Sequence, residues 1–148
     1  MTFENLVNDY KRIRFEIKRI FNKEMELRTL CNLPRNGNLE GLPKTKNNAS
    51  LVEKFVLKII QLEDEQALLN QKLISKRKEI VELIDKIVNN FSTKEIIELK
   101  TFNPRINWSK IAAELFLSEG YCRQLYYEGI REINKKLGEK TNEISSSV

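Results

Sequence analysis

Apolar residues recur in alternating steps of three and four through the first part of the chain. The series consists of Phe3, Leu6, Tyr10, Ile13, Ile17, Ile20 and Leu27. Because helical side chains three and four positions apart share one face, this spacing predicts a long amphipathic helix from about Thr2 to Cys31. A seven-residue repeat of this kind is typical of a helix that packs lengthwise against another helix.

A second apolar stripe predicts a helix from Ser50 to about Asn90. It opens with Ser-Leu-Val-Glu at 50–53, which has the form of a capping box. The apolar positions of the stripe are Val52, Phe55, Ile59, Leu62, Leu69, Leu73, Ile80, Leu83 and Ile87. Because so long a helix is stable only when its stripe is covered, we expect an antiparallel helical hairpin or coiled coil. Pairing within one chain and pairing between two chains would give the same pattern.

Two polar residues, Gln66 and Lys76, interrupt this second stripe. Polar residues at such positions can fix the register of a helix pair or its choice of partner. The alternative interpretation is that they lie where the partner helix has already ended. Under either interpretation, residues 1–91 form an oligomerisation or partner-binding region.

The segment between the two long helices, residues 32–49, reads NLPRNGNLEGLPKTKNNA. It contains two prolines, two glycines and five asparagines, and it has neither the helical nor the strand period. This composition predicts a loop. Its length is typical of a loop that has a role of its own or is disordered.

Three shorter helices are predicted after residue 91. A capping box at 92–95, Ser-Thr-Lys-Glu, starts the first of them, and Asn103-Pro104 ends it. Asn107 can cap a helix from Trp108 to about Phe116, and Ser118 can cap the last helix. The inward positions of this last helix are Cys122, Leu125, Ile130, Ile133 and Leu137. The sequence therefore predicts an all-α protein with a hairpin region at 1–91, a three-helix domain at 92–137 and a disordered tail at 138–148.

Composition excludes most catalytic chemistry. The chain has 5 Gly and 3 Pro, which argues against a turn-rich β protein, and no His, the commonest general base and zinc ligand. Cys31 and Cys122 match no metal-binding spacing and are expected to be reduced core residues. Carboxylates such as Asp64, Glu65 and Asp85 lie among lysines, where solvated ion pairs are expected. We therefore predict that the protein is not an enzyme and that it has no catalytic residue, no cofactor and no metal.

The N-terminal sequence MTFENLVNDYKR carries acidic residues and no long apolar run. It therefore has neither the form of a signal peptide nor that of a membrane span. We expect no membrane partner and a cytoplasmic location.

Net charge is +5 and is concentrated at the start of the chain. Residues 1–50 hold 10 basic and 6 acidic side chains, residues 51–91 hold 7 of each, and residues 92–148 hold 9 and 8. This balance permits a nucleic-acid partner. Five basic residues flank the first stripe, either as a solvated face or as phosphate contacts: Lys11, Arg12, Arg14, Lys18 and Arg19.

The segment from Trp108 to Leu137 has the pattern of a helix-turn-helix motif, with two helices and a turn of about two residues between them. On the second, recognition helix, Arg123 can pair with guanine and Gln124 with adenine. The full set of predicted DNA contacts is Ser118, Glu119, Gly120, Tyr121, Arg123, Gln124, Tyr127, Arg105, Ser109, Lys110 and Arg131. Of these, Arg105, Lys110 and Arg131 are expected to contact phosphate. The alternative is a plain three-helix bundle whose polar residues are merely solvated.

The segment IIELKTFNPRINWSKIAAELFLSEGYCRQLYYEGIREINKKL resembles region 4 of bacterial sigma factors and related phage regulators. The matching residues are Phe102, Ile111, Ala112, Leu115, Ser118, Cys122, Arg123, Gln124 and Leu125. With the upstream loop and long helix, the chain looks like the phage late-transcription activators of the RinA and ArpU type. This resemblance implies a DNA-binding activator of late genes in a bacterial host, with RNA polymerase as a further partner. The chain departs from the pattern at Glu119 and Gly120, where basic or polar residues are usual, and at Gly129, where alanine is usual.

Two other functions fit the same pattern. A DNA-packaging or assembly component, such as a small terminase subunit, also combines a helical DNA-binding domain with an oligomerising hairpin. A coiled-coil adaptor could use the sigma-like domain to bind a protein such as RNA polymerase. Oligomeric state separates the packaging function from transcription regulation, since a large ring favours packaging and a homodimer favours transcription.

Overall fold

The computed structural model describes residues 1–31 and 49–146. Within these ranges the chain forms five α-helices and no strand, which confirms the all-α class. The helices are α1 (Phe3–Leu30), α2 (Ala49–Ile87), α3 (Phe91–Phe102), α4 (Trp108–Leu115) and α5 (Glu119–Ser146). The predicted loop, apart from Ala49, and the side chain of the predicted cap Ser50 lie outside the described residues.

The contacts divide the chain into two compact units. One, here called the terminal unit, combines Met1–Tyr10 with Ser75–Val148, and the other, the middle unit, is Lys11–Ile74. Each long helix therefore contributes to both units. The sequence predicted a boundary near residue 91 instead, and it did not anticipate that the ends of α1 and α2 would group with α3, α4 and α5. Whether 1–91 and 92–137 fold independently stays a prediction.

In the middle unit, segments of α1 and α2 run antiparallel. Gln66 donates to Glu24 at 2.6 Å, and Arg28 donates to Glu63, so residue numbers rise along one helix as they fall along the other. The buried apolar side chains of this unit are Ile20, Ile59 and Leu62. Gln66, one of the two residues that interrupt the second stripe, therefore faces a partner within the same chain.

Glu24 and Arg28 form a buried polar cluster in this unit. They are 4% and 3% exposed, and Arg28 Nε donates to Glu24 Oε1 at 2.9 Å. Burial by itself would raise the pKa of Glu24, but the hydrogen bonds from Gln66 and Arg28 and the charge of Arg28 hold that pKa below its ordinary value. Every polar group of the cluster is paired, as burial requires.

In the terminal unit, the N-terminal end of α1 and the C-terminal end of α2 pack with α3, α4 and α5. The ring of Tyr10 meets that of Phe102 edge-to-face with centroids 5.2 Å apart, and the backbone N–H of Phe3 donates to Asn134 Oδ1 at 2.8 Å. Lys76, the second polar residue of the stripe, lies 3.9 Å from Asp9. The buried apolar side chains of the unit are Phe3, Leu6, Tyr10, Ile80, Ile84, Val88, Ile96, Ile97, Ile106, Ile111, Ala112, Cys122, Leu125 and Ile133.

Both cysteines are free, but only Cys122 is fully buried. Burial, and then the nearby charge of Glu119, raises the pKa of the Cys122 thiol, so it remains protonated and unreactive at neutral pH. Cys31, at the end of α1, is half-buried. The core prediction is therefore right for Cys122 and too strong for Cys31.

Several helix boundaries differ from the prediction, and α2, which spans Ala49–Ile87, begins before its predicted cap Ser50 and ends before Asn90. The N-cap of α3 is Asn90, whose side chain accepts from the Thr93 backbone N–H at 3.3 Å, so Ser92 lies inside the helix and does not cap it. Helix α5 continues to Ser146, past the predicted end near Leu137. Gly138 alone does not end it, because one exposed glycine costs a helix only about 1 kcal/mol. The predicted disordered tail is therefore helical through residue 146.

Candidate nucleic-acid interface

A small apolar core joins α3, α4 and α5 in the terminal unit. Its buried members are Ile96, Ile106, Ile111, Ala112, Cys122 and Leu125, with Leu99, Trp108, Leu115, Leu117 and Tyr126 packed against them. Both Ala112 and Ala113 are small residues expected at a close helix approach, but only Ala112 is buried in this core, and Ala113 is exposed. Because each helix contributes buried side chains, the core fixes the orientation of the first turns of α5.

Three residues, Phe116, Leu117 and Ser118, connect α4 to α5. Phe116 has φ 55°, in the left-handed region, and caps the C-terminus of α4. The Leu117 N–H donates to the Ala112 carbonyl at 3.0 Å, and its half-buried side chain packs on the core. Leu117 thus fills the turn, and the connection is one residue longer than the predicted turn of about two residues.

Both predicted caps around this turn are confirmed. Asn107 Oδ1 accepts from the Lys110 backbone N–H at 2.9 Å at the start of α4. Ser118 Oγ accepts from the Tyr121 N–H at 3.2 Å at the start of α5. The two caps satisfy backbone donors that each helix would otherwise leave free, and so define where both helices begin.

One side of α5 is exposed over its first three turns. We call the exposed face of α5 the set Gly120, Arg123, Gln124, Tyr127 and Arg131, all of them exposed. Their spacing of three and four positions places them on one side of the helix. The opposite side carries the buried residues Cys122, Leu125, Gly129 and Ile133. Polar and aromatic groups therefore project from a helix whose other side is anchored in the core.

All eleven predicted DNA contacts are exposed. Five of them form the exposed face of α5, whereas Glu119 and Tyr121 lie at its two flanks, and Ser118 is used as a cap. The remaining three lie on other elements: Arg105 in the α3–α4 connection, and Ser109 and Lys110 in the first turn of α4.

Arg123 is held by two weak contacts. Its guanidinium lies 3.9 Å from Glu119 Oε2 and 5.8 Å from the centre of the Trp108 ring. Side chains of the Arg123–Glu119 pair are about half exposed, at 52% and 47%, so the pair contributes less than about 1 kcal/mol and can open on binding. The two contacts thus orient the Arg123 side chain but still allow it to move.

Gln124 is oriented in the same manner by a carboxylate. Its Nε2 donates to Glu128 Oε1 at 3.1 Å, one turn further along α5. The Gln124 amide oxygen can still accept a hydrogen bond, because a side-chain amide carries both a donor group and an acceptor. Arg123 and Gln124, the two side chains predicted to read bases, are therefore each in contact with an exposed acidic side chain one turn away.

A cation–aromatic cluster supports α4 and was not evident from the sequence. Lys100 Nζ lies 4.5 Å above the Trp108 ring and donates to the Ile106 carbonyl at 2.9 Å. Trp108 in turn meets Tyr126 edge-to-face at 5.5 Å. Burial, followed by the nearby Tyr127 and Glu4, raises the pKa of Tyr126, so its hydroxyl stays neutral. Periodicity places Trp108 on an inward face but does not reveal these partners.

The two glycines that depart from the sigma-like pattern have different surroundings. A Cβ at Gly129 would lie 2.7 Å from Ile97 Cδ1 and 2.7 Å from Thr93 Cγ2, so this glycine allows α5 to approach α3 closely. A Cβ at Gly120 would meet nothing within 4 Å. Packing within the chain therefore explains Gly129 and gives no reason for Gly120.

Among the residues that the structure describes, no group of acidic, cysteine or histidine side chains could hold a metal ion. None of the helices in the described ranges is both long and apolar enough to cross a bilayer. No protein-family model, curated protein or solved structure matches the chain.

Proposed function

We propose that the chain is a sequence-specific DNA-binding transcription regulator that reads double-stranded DNA through the exposed face of α5. The observation that carries this proposal is the exposure of Arg123, Gln124 and Tyr127 on one side of a helix that directly follows a short turn. Arginine and glutamine can each bond two groups on one base edge in the major groove. The major groove, about 12 Å wide, admits one α-helix.

On this proposal, α4 and α5 act as a helix-turn-helix motif. Arg123 would bond guanine, Gln124 would bond adenine, and Tyr127 would contact phosphate or a thymine methyl group. Glu119 can accept a hydrogen bond from cytosine N4. The phosphate contacts would come from Arg105, Lys110, Ser109, Tyr121 and Arg131.

Gly120 supports the same assignment. In a helix an exposed glycine with open space around it costs about 1 kcal/mol relative to alanine, and no contact within the chain requires it. A glycine at this position would let the DNA backbone approach the first turn of α5 closely. Replacement of Gly120 by alanine is therefore expected to stabilise the fold while weakening DNA binding.

The finer parts of the proposal rest on the sequence resemblance to sigma region 4 and to late-transcription activators of the RinA and ArpU type. In these finer parts, the chain is a phage-encoded activator of late genes that acts in the host cytoplasm. It forms a homodimer through α1 and α2, and RNA polymerase is its second partner. Residues 92–148 are nearly neutral, so one such unit would bind random DNA weakly. A dimer that contacts two half-sites would raise that affinity.

The test is a binding series on the full chain. A preferred duplex is first selected from a random library with the wild-type protein, and affinities for it and for random DNA are then measured by fluorescence anisotropy. Arg123→Ala is expected to cost about 1–3 kcal/mol on the preferred duplex and to relax preference at one base pair. Arg131→Ala is expected to weaken all duplexes equally and to lower the salt dependence by about one ion. Lys78→Ala, a change at an exposed lysine of α2, is the control.

An unchanged base preference in Arg123→Ala would refute the role of α5. Uniform weak binding to every duplex, with a large ring in solution, would favour the packaging component. Binding to RNA polymerase without binding to any duplex would favour the adaptor.

A further inference from the structure

A second cationic surface lies on α1, in the middle unit. Residues 11–23 contain six basic side chains and one acidic side chain, Glu16. We call the basic face of α1 the set Lys11, Arg14, Phe15, Lys18, Arg19 and Lys23, all of them exposed. It is separate from the exposed face of α5, because it belongs to another helix and to the other unit.

Two observations distinguish this face from an ordinary solvated surface. Phe15 lies at its centre and is 68% exposed, although burial of such a ring would stabilise the fold. In the described part of the chain, Lys11, Lys18 and Arg19 form no ion pair, and neither does Lys23. Two carboxylates of the same unit, Glu24 and Glu63, are bound instead to the buried Arg28. These four basic side chains therefore keep their positive charge without an ion-pair partner in the described part of the chain.

We propose that the basic face of α1 binds the phosphate backbone of double-stranded DNA, independently of base sequence. From Lys11 to Lys23 the helix rises about 18 Å at 1.5 Å per residue. Phosphates of one DNA strand are about 3.4 Å apart along the axis, so this length matches about five of them. Phe15 then packs on the apolar edges of the sugars between the charged contacts.

The opposite side of α1 argues against an anionic membrane as the partner. An interfacial helix must place a broad apolar face into the lipid. In the middle unit the apolar side of α1 is already covered, with Ile20 buried and Glu24 and Arg28 bonded to α2. Only Phe15 is available at the centre of the charged face. A phosphate polymer therefore fits this surface better than a bilayer does.

The inference rests on the proposed function, since it takes the same DNA as its ligand, and it supplies the non-specific affinity that residues 92–148 lack. Neutralisation of each phosphate contact adds about 0.9 to the slope of log K against log salt concentration. The salt-dependence slope thus detects phosphate contacts of the basic face of α1, whereas base preference detects base contacts of α5.

The experiment uses the full chain with the triple variant Lys11→Gln, Lys18→Gln and Arg19→Gln. Its control is Lys54→Gln, Lys58→Gln and Lys72→Gln, an equal loss of charge at exposed positions of α2 in the same unit. A random-sequence duplex is titrated between about 0.05 and 0.2 M NaCl. The test variant is expected to lower the slope by up to about 2.7 and to weaken binding tenfold or more at about 0.1 M, while the control changes both far less.

Base preference separates the two proposals. The test variant keeps the ratio of preferred to random affinity, because both duplexes lose the same phosphate contacts, whereas Arg123→Ala lowers that ratio. Circular dichroism verifies that the triple variant is folded, and Lys18→Gln alone, with an expected slope change of about 0.9, replaces it if it is not.

Equal slopes for the test and control variants overturn the inference and leave the α5 proposal standing. Binding of the wild type to phosphatidylserine vesicles, lost in the test variant while the DNA slope is unchanged, overturns it in favour of a membrane. Absence of wild-type binding to any duplex overturns this inference together with the proposed function.

Discussion

Replacement of Gly129 by alanine tests the close packing of α5 against α3. The added Cβ would lie 2.7 Å from both Ile97 Cδ1 and Thr93 Cγ2. Carbon atoms in contact prefer about 3.5–4.0 Å, so each neighbour must retreat by about 1 Å. Ile97 is fully buried and Thr93 is 6% exposed and stiff at χ1, so neither moves freely. Overpacking of this kind costs about 1–3 kcal/mol.

The same substitution also removes a helical glycine, which is worth about 1 kcal/mol of stabilisation. Gly138→Ala isolates this second effect, because Gly138 lies in the same helix and a Cβ there meets nothing within 4 Å. We therefore expect Gly138→Ala to stabilise the fold by up to about 1 kcal/mol. Gly129→Ala should be less stable than Gly138→Ala by about 1–3 kcal/mol.

Urea unfolding measures this difference. The fluorescence of Trp108, the single tryptophan of the chain, reports the terminal unit that holds both glycines. A lower urea midpoint for Gly129→Ala than for Gly138→Ala, with the same dependence of the unfolding free energy on urea, would agree with the expected overpacking. If Gly129→Ala and Gly138→Ala are equally stable, α5 does not approach α3 as closely as described, and the orientation of the exposed face of α5 is wrong as well.

Three further substitutions test individual contacts by thermal unfolding. Phe116→Gly should stabilise the fold by about 1 kcal/mol, because the residue is 94% exposed at φ 55° and glycine adopts this conformation without strain; a loss of stability would count against the turn. Asn107→Ala should destabilise the fold by about 1 kcal/mol, since the Lys110 N–H loses its acceptor, and an unchanged melting temperature would contradict the cap. The lowered pKa of Glu24 means that its contribution to stability is present above the ordinary pKa of a glutamate and is lost as pH falls through the lower folded pKa. Glu24→Gln should therefore be less stable at pH 7 and should lose less stability in acid, whereas identical pH profiles would show that the buried cluster is not ionised as described.

Helix positions could be predicted from the sequence where a single residue determines them. Ser118 stands alone before its helix, and Asn107 directly precedes the helix that begins at Trp108; both are caps. Asn90 and Ser92 are two good caps only two positions apart, and local rules rank them equally. Tertiary packing of α3 decides between them, and it is not visible in a local pattern. The same limit applies to Gly138, where a weak local signal did not stop the helix.

The exposed face of α5 could be predicted because exposure follows from the helical period once the buried residues Cys122 and Leu125 are identified. Its neighbours could not all be predicted in this way. Arg123–Glu119 and Gln124–Glu128 are one-turn pairs and follow from spacing. The Lys100–Trp108 contact joins two helices and depends on how they pack.

The packing of Tyr10 against Phe102 was also not predictable, because 92 positions separate the two residues in the chain. Their apolar stripes predict that each is buried but do not identify the partner of either. This explains why the sequence grouped the ends of α1 and α2 with the hairpin region, whereas the contacts place them with α3, α4 and α5.

Base reading by the exposed face of α5 can be measured directly on the full chain. The most direct measurement compares the affinity of the full wild-type chain for its selected duplex with its affinity for random DNA, as a function of salt concentration. We expect a selected site to be bound about a thousandfold more tightly than random DNA, with two chains per site. Equal, weak and strongly salt-dependent binding to both duplexes would contradict it, because phosphate contacts alone would then account for all of the affinity.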